Sequence, residues 1–428
     1  MADILKLPLN SIPYQNVNDI TLDNISDALF DGYIDEFGNT NKRPGLVEFA
    51  NLGNSSAIDG LFSWEAKQLI IVVSDGNIFT IDASGNVNDI TGDQLEVGTR
   101  CTFAENGNFV VIANGGQMVY TDGVSNTIAI TSPNAPTQVT HVAFLDYYLL
   151  ANEKGDDLIR FADFENVAPT TWEFADFFQA ESLPDGILAM HVSNGIVYLF
   201  GENSIEFWVN NGVNPFARQS TQRERGLMSP YSVVLVNDSF YFFDSRRRLT
   251  LMNGFNARIV NTSFDKTIQQ FEKVDDALAD YCTVIGKNWV VFNFPDAGRT
   301  LVYDLNGPAT QYWAEWSAWF KPDAIRKRFF ANNFVYAKFI NKHLIGSYQT
   351  GKVLELSETA YDDDGTEIHF LKRTGHIDYE APYNLKISYE IIVRMLSGIG
   401  LQQDTNAKAT ARIRWRDNGD TSWSNYVD

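Results

Sequence analysis

Residues 60–92 read GLFSWEA (60–66), KQLIIVVS (67–74), GNIFTIDA (76–83) and GNVNDITG (85–92): four strand-length apolar runs joined by tight turns of Asp, Gly, Ser and Asn. β-branched and aromatic residues favour a pleated, half-buried chain, and Asp-Gly or Gly-Asn between two such runs signals a hairpin. One four-stranded meander cannot bury both of its faces alone, so it needs neighbours of its own kind. The cadence recurs along the chain with a period of about 40 to 50 residues, the range of propeller blades. Further units are read at 99–130, from 138 through an insertion at 172–184, and at 186–211, 231–260 and 282–316, with another from 334. The fold class is therefore all-β: a β-propeller of about seven four-stranded blades, six to eight being compatible with the insertions.

The interruptions divide the chain. Residues 1–46 carry few alternating runs and end in the turn signal Asn41-Lys42-Arg43-Pro44-Gly45, which predicts an N-terminal arm with one short helix around 26–33. Phe264, Ile268, Phe271 and Val274 recur at helical spacing behind Ser263 as an N-cap, which predicts a helical insertion near 263–280. From Thr366 the runs lengthen (EIHFLKRTGHI, LKISYEIIVRML, ATARIRWR), which predicts a separate antiparallel sandwich or platform domain. The expected organisation is an arm over 1–46, a propeller over 47–365 and a C-terminal β domain over 366–428.

The chain has 428 residues, with 33 Lys and Arg against 54 Asp and Glu, a net charge of −21. That balance argues against a protein that grips nucleic acid, since phosphate binding needs clustered cations. It leaves open one that DNA must pass without sticking. The two cysteines, Cys101 and Cys282, sit in strand-like runs and read as buried thiols, with no disulfide framework. The first ten residues lack the basic and apolar regions of a signal peptide, and no apolar run reaches the roughly 20 residues that span a bilayer. A chain made in a reducing cytoplasm is expected.

Candidate chemistry is sparse. His141, His191, His343, His369 and His376 never approach metal-ligand spacing, and no nucleophile elbow, phosphate loop or zincin helix is present. The run Asp362-Asp363-Asp364-Gly365 lacks the ligand spacing of a calcium loop and reads as a solvated turn tip. Residues 417–423 (DNGDTSW) look like the Asp-box hairpin of propeller glycosidases, but the box occurs once, outside the blades. Hydrolysis would further require paired carboxylates at a defined separation. No catalytic, cofactor-binding or metal residue is therefore expected. Basic clusters stand out in an acidic chain: Arg223 with Arg225, then Arg246, Arg247 and Arg248, then Arg326, Lys327 and Arg328. Three adjacent cations cannot all be buried, so they read as solvated salt-bridging loops, as a docking surface for an acidic partner or neighbouring subunit, or, third and against the overall charge, as a grip on DNA. The last two clusters are the expected docking residues.

Several strings, taken in order, resemble the tail hub, or nozzle, proteins of short-tailed bacteriophages, also called packaged-DNA stabilisation proteins. They are RPG (43–45), GLF (60–62), GNIFTI (76–81), AESLPDG (180–186), LFGENSIEFW (199–208) and GLMSPYSV (226–233). Later come LVYD (301–304), WAEWS (313–317), RTGH (373–376), RMLSGIG (394–400) and the box at 417. The resemblance covers most of the chain. It implies a non-enzymatic virion protein of the viral tail that assembles as a ring, typically a homohexamer, below the portal and its adaptor. Such a ring extends the DNA channel, retains the packaged genome and lets it exit on infection. Implied partners are further copies of the chain, the head-to-tail adaptor, tail fibre, tailspike or needle proteins, and double-stranded DNA passing non-specifically. Family members usually continue for some tens of residues past the box, so the contacts of the last strands are left open. An acidic channel wall would suit a conduit, because every basic docking site adds drag on the duplex. The alternative reading is a propeller glycan hydrolase acting on host surface polysaccharide.

Overall fold

The computed structural model describes residues 28–180, 185–212, 215–223, 225–260, 264–306, 312–320, 325–373, 411–415, 424, 425 and 427. Leu69–Ser74 shows why the strands form: five of its six residues are buried, as expected of a branched apolar run covered on both faces. It turns through Asp75-Gly76, at φ 53° and 73°, into Asn77–Ile81. The same left-handed pair closes hairpins at Asn194-Gly195, Asn237-Asp238 and Ile285-Gly286. Positive φ at both positions matches the twist of the flanking strands. Gly and Asn adopt it readily, whereas β-branched Ile285 is held there, at φ 57°, against its preference.

Among the described residues there are seven antiparallel four-stranded meanders. Five are whole sheets, at 58–89, 102–129, 142–179, 187–223 and 233–259. The sixth, at 278–320, is extended beyond its outer strand Tyr312–Phe320 by Ala28–Phe30 and then Leu371–Arg373. The seventh takes Ala331–Ala337, Lys342–Ser347 and Lys352–Ser357 from late in the chain and its outer strand, Gly45–Asn51, from near the start. Their register runs from Ser357 opposite Gly45 to Lys352 opposite Asn51. The fold is the expected all-β propeller, with seven blades.

Each boundary between consecutive blades is filled by one hydrophobic cluster. Trp64 of the first blade packs with Val110 and Ile112 of the second. Phe200 and Phe207 of the fourth meet Phe240 and Phe242 of the fifth. Trp289 and Trp316 of the sixth meet Ile345 and Leu354 of the seventh. Leu344 and Val353 of the seventh meet Ile58 and Leu61 of the first, which closes the circle. At that seam the amides of Asn332 and Asn333 both donate to the Ile58 carbonyl, at 2.9 and 2.7 Å. Gly346 lies flat against the same residue: a Cβ there would stand 2.5 Å from Ile58 Cγ2. Gly346→Ala is expected to lower stability by about 1–3 kcal/mol through overpacking. An unchanged thermal unfolding midpoint would contradict that view of the seam.

Three expectations change. The helix around 26–33 is instead the strands Ala28–Phe30 and Gly32–Ile34, broken at Asp31 with φ 52°. Leu29, Phe30 and Ile34 are all buried, because these strands are part of the sixth and seventh blades' packing. The helical insertion shrinks to α1, Asp265–Gln269. Ser263 lies outside the described residues, and by Leu278 the chain must already be the inner strand of the sixth blade. Phe264 and Ile268 do face the core, so the helical spacing is real but lasts little more than one turn. Finally, Thr366–Glu367 and Leu371–Arg373 pair within the propeller's sheets. Most of 366–428, the box at 417 included, lies outside the described residues.

Candidate functional site

The first strands of the blades line the axis side by side and parallel, as the Tyr231–Leu278 bridge shows between the fifth and sixth. Because successive strands alternate in direction, loops after the first and third strands share one face of the disc, and loops after the second and fourth share the other.

The axis itself is filled. Arg100, at the start of the second blade, reaches across to Asp280 on the inner strand of the sixth, with Nη2–Oδ1 at 2.6 Å, and donates to the Asn332 carbonyl of the seventh at 2.6 Å. His141 of the third blade stacks on Tyr231 at 5.2 Å and touches His191 of the fourth edge-on at 6.1 Å. Burial holds both histidines neutral, lowering His141 to about 3 and His191 to about 4. Burial raises the Asp59 carboxyl to about 6, and it raises Asp280 in spite of Arg100. A general base works best with its pKa near the operating pH; here two imidazoles are shut away from protons and a carboxylate is tied to a guanidinium. Side chains from six blades thus lock the hub of the propeller. Among the described residues no His, Cys, Asp and Glu group is arranged for a metal ion. A cavity lined by Tyr33 and Trp289 offers about 10 Å³, room for no more than one water.

The basic clusters divide into struts and surface. In the turn after Ser239–Phe243, the Asp244 carboxylate accepts the backbone N–H groups of Arg246 and Arg248 and pairs with the Arg248 guanidinium at 2.9 Å. Arg247 donates to the carbonyls of Gln269 and Phe271, at 3.2 and 2.7 Å, binding the end of α1. Arg246 is exposed. In the strand Ile325–Arg328, Arg328 is buried, lies 3.9 Å above the Tyr348 ring and donates to Asn332; burial lowers it to about 10. Lys327 is exposed, while the side chain of Arg326, like those of Arg223 and the pair's surroundings at 224, lies outside the described residues. Of the expected docking set, Arg246 and Lys327 reach the surface; Arg247, Arg248 and Arg328 are committed to the fold, because carbonyls, Asp244 and Tyr348 already occupy them.

Two arginines that the sequence reading passed over do more. Arg100 crosses the axis, and Arg43 is wholly buried between the sixth and seventh blades. All five of its N–H groups are used: Nε to Asp31 at 3.0 Å, both Nη to Asp363 at 2.8 and 2.6 Å, and one each to the carbonyls of Pro44 and Ser317. Its plane lies 4.5 Å from the Phe329 ring centre. Asp363 is thus a buried partner and not a solvated tip, although Asp362 and Asp364 on either side remain exposed.

Loops after first and third strands carry Asp82, Asp122, Asp146, Glu165, Glu173 and Asp238, against Lys67 and Lys338. The exposed aromatics Phe37, Tyr147, Phe174 and Phe255 are on this acidic face as well. The opposite face carries the exposed Arg246 and Lys327 among exposed carboxylates that include Asp75, Glu96, Glu202, Glu272 and Asp296.

A family model described as bacteriophage P22 Gp10, beta-propeller, matches residues 34–361. No curated protein matches the chain. Among solved structures, YCF48 bound to D1 peptide is similar at 12% identity and a TM-score of 0.47, covering 74% of this chain and 99% of that one. YCF48 from Cyanidioschyzon merolae gives 12% and 0.47, covering 73% and 98%. The WD40 propeller domain of Doa1 gives 10% and 0.46, covering 74% and 97%. Likeness at this level carries no argument about activity or partners.

Proposed function

The chain belongs to the family of phage-stabilisation β-propeller proteins described by bacteriophage P22 Gp10, and on that premise we propose that it is a tail hub, or nozzle, subunit. The family places it among phage tail structural proteins that stabilise packaged DNA. In the proposed role, six copies form a ring below the portal and adaptor, extend the channel, hold the genome in and release it on infection. The family match over 34–361 carries this reading. Two physical features support it. A propeller whose hub is locked by Arg100 and Asp280 is a rigid block, so the DNA path runs between subunits and not through one of them. An acidic surface with its carboxylates outward repels phosphates and lets the duplex slide.

Adaptor, fibre or needle proteins dock, on this reading, on loops at the propeller faces, with Arg246 and Lys327 as contacts. Mixing the purified chain with portal and adaptor proteins is expected to give a ring beneath the adaptor in negative-stain images. If portal and adaptor join while this chain forms no ring, the proposal fails. Release of reducing sugar from host polysaccharide, lost on mutating one carboxylate, would favour the hydrolase reading instead.

A further inference from the structure

The third blade differs from the others on the face formed by loops after first and third strands. Its connection between Leu158–Asp163 and Phe177–Gln179 spans 164–176, a length at which loops without secondary structure usually have a purpose. Hydrogen bonds hold this loop in place. Asn106 donates to the carbonyls of Phe164 and Val167 at 2.7 and 3.0 Å, and the Phe164 N–H donates to the Tyr147 carbonyl at 2.8 Å. Trp172 is buried, with its indole N–H on the Pro169 carbonyl at 3.0 Å. The held loop nevertheless presents Phe174 at 74% exposure and Val167 at 46%, with Tyr147 at 56% in the turn to which it is tied. An exposed aromatic whose loop is already ordered has the make-up of an interface anchor, since binding need not immobilise it again.

Charge decides what fits there. On this face the loops of the second to fourth blades are 106–109, 122–127, 146–147, 164–176, 194–195 and 211–215. They hold Asp122, Asp146, Glu165, Glu173 and Asp176, and not one Lys or Arg. Asp122 is taken by the amides of its own turn, and Asp146 accepts from Asn210 at 2.9 Å. The exposed carboxylates of Glu165 and Glu173 meet no side-chain partner among the described residues. Burial and the charge of Glu173 push the Asp176 carboxyl upward, so these like charges repel one another without a cation between them. Arg160, opposite Phe177 in the ladder, is half-buried with its guanidinium 5.9 Å from that ring. Such a surface repels phosphates, and an intact duplex keeps its bases stacked away from aromatic rings. It suits a cationic side chain, whose stem lies over a ring while its charged head meets a carboxylate. We propose that the 164–176 loop, with Asp146 and Tyr147, is a docking surface for an arginine- or lysine-rich segment of a partner protein. Phe174 is the anchor, and Glu165 and Glu173 select the charge. This surface goes beyond the tail-hub reading and stands without it.

The first test titrates the purified chain with a fluorescent arginine–glycine peptide at physiological salt. Glu165→Gln with Glu173→Gln, and separately Phe174→Ser, are each expected to weaken binding about tenfold in chains that remain folded by circular dichroism. A control with Glu202→Gln and Glu272→Gln removes the same charge from the opposite face and is expected to bind as wild type. Equal loss in the control would show a response to net charge alone, and unchanged binding in the loop variants would show no site; either result overturns the proposal. The second test is thiol labelling of Phe174→Cys, in which the native Cys101 and Cys282 are buried and stay silent. The new thiol is expected to react in the free chain and to be shielded in assembled tails. A photo-cross-linking aromatic in place of Phe174 is expected to join, in those tails, a peptide rich in Lys and Arg. A thiol that stays reactive in tails, a link to another copy of this chain, or shielding that disappears when the genome leaves would each sink the proposal. If tails lack this chain while the peptide result holds, the tail-hub reading falls and the docking surface stands.

Discussion

Replacing Arg43 by Met is expected to destabilise the propeller by about 3–5 kcal/mol, the loss typical when one partner of a buried ion pair is removed. The change leaves two carboxylates, Asp31 and Asp363, without their cation in a site closed to water. Burial already pushes Asp363 upward even with Arg43 in place, so without it the group must take up a proton or open the seam. Arg43→Lys should be almost as damaging, because an ammonium has three donors and no planar fork for five acceptors. Adding Asp31→Asn and Asp363→Asn to Arg43→Met should restore part of the loss by removing the stranded charges. Urea denaturation followed by tryptophan fluorescence measures all three. A single variant as stable as wild type would show that the pair holds nothing together.

Acidification is expected to produce a second large effect, and its sign follows from the hub. His141 has a folded value of about 3 against about 6.5 unfolded, so between those limits only the unfolded chain gains a proton. Stability therefore falls as pH drops below about 6.5, by roughly 2 kcal/mol at pH 5 from this residue alone. His191, lowered to about 4, acts in the same direction. Asp59, raised to about 6, acts oppositely: below pH 6 the folded state gains its proton first and recovers a smaller part of the loss. Tyr231, which stacks on His141, does not titrate in this window, because burial moves it up to about 12. The expected result is a urea midpoint that declines from pH 7 to pH 5, and declines less in His141→Gln. A midpoint independent of pH over that range would refute the neutral, sealed imidazoles.

What the sequence makes legible is local. The alternating runs and the Asp-Gly and Asn-Gly turns determine blade boundaries because a hairpin's geometry is written in two residues. The contacts that matter most join distant residues: Arg43 and Asp363 are 320 positions apart, Arg100 and Asp280 are 180. Read locally, Lys42-Arg43-Pro44-Gly45 is a turn and Asp362-Asp363-Asp364 a solvated tip; only the closed circle shows that the middle aspartate points inward. The arginine triplet misleads in a similar way, since a run of charge does not reveal which members meet a backbone carbonyl. The apolar spacing at Phe264 and Ile268 recorded burial faithfully but could not give the length of α1, which the next blade's inner strand cuts short.

The seventh blade borrows its outer strand from the beginning of the chain, and this gives synthesis on the ribosome a definite order of events. Gly45–Asn51 emerges early and has no partner until Lys352–Ser357 has been translated. Throughout that interval the nascent chain carries an unpaired sheet edge, the kind of surface on which chains aggregate. Prematurely terminated products can stack blades but cannot close the circle, so on them that edge stays unpaired.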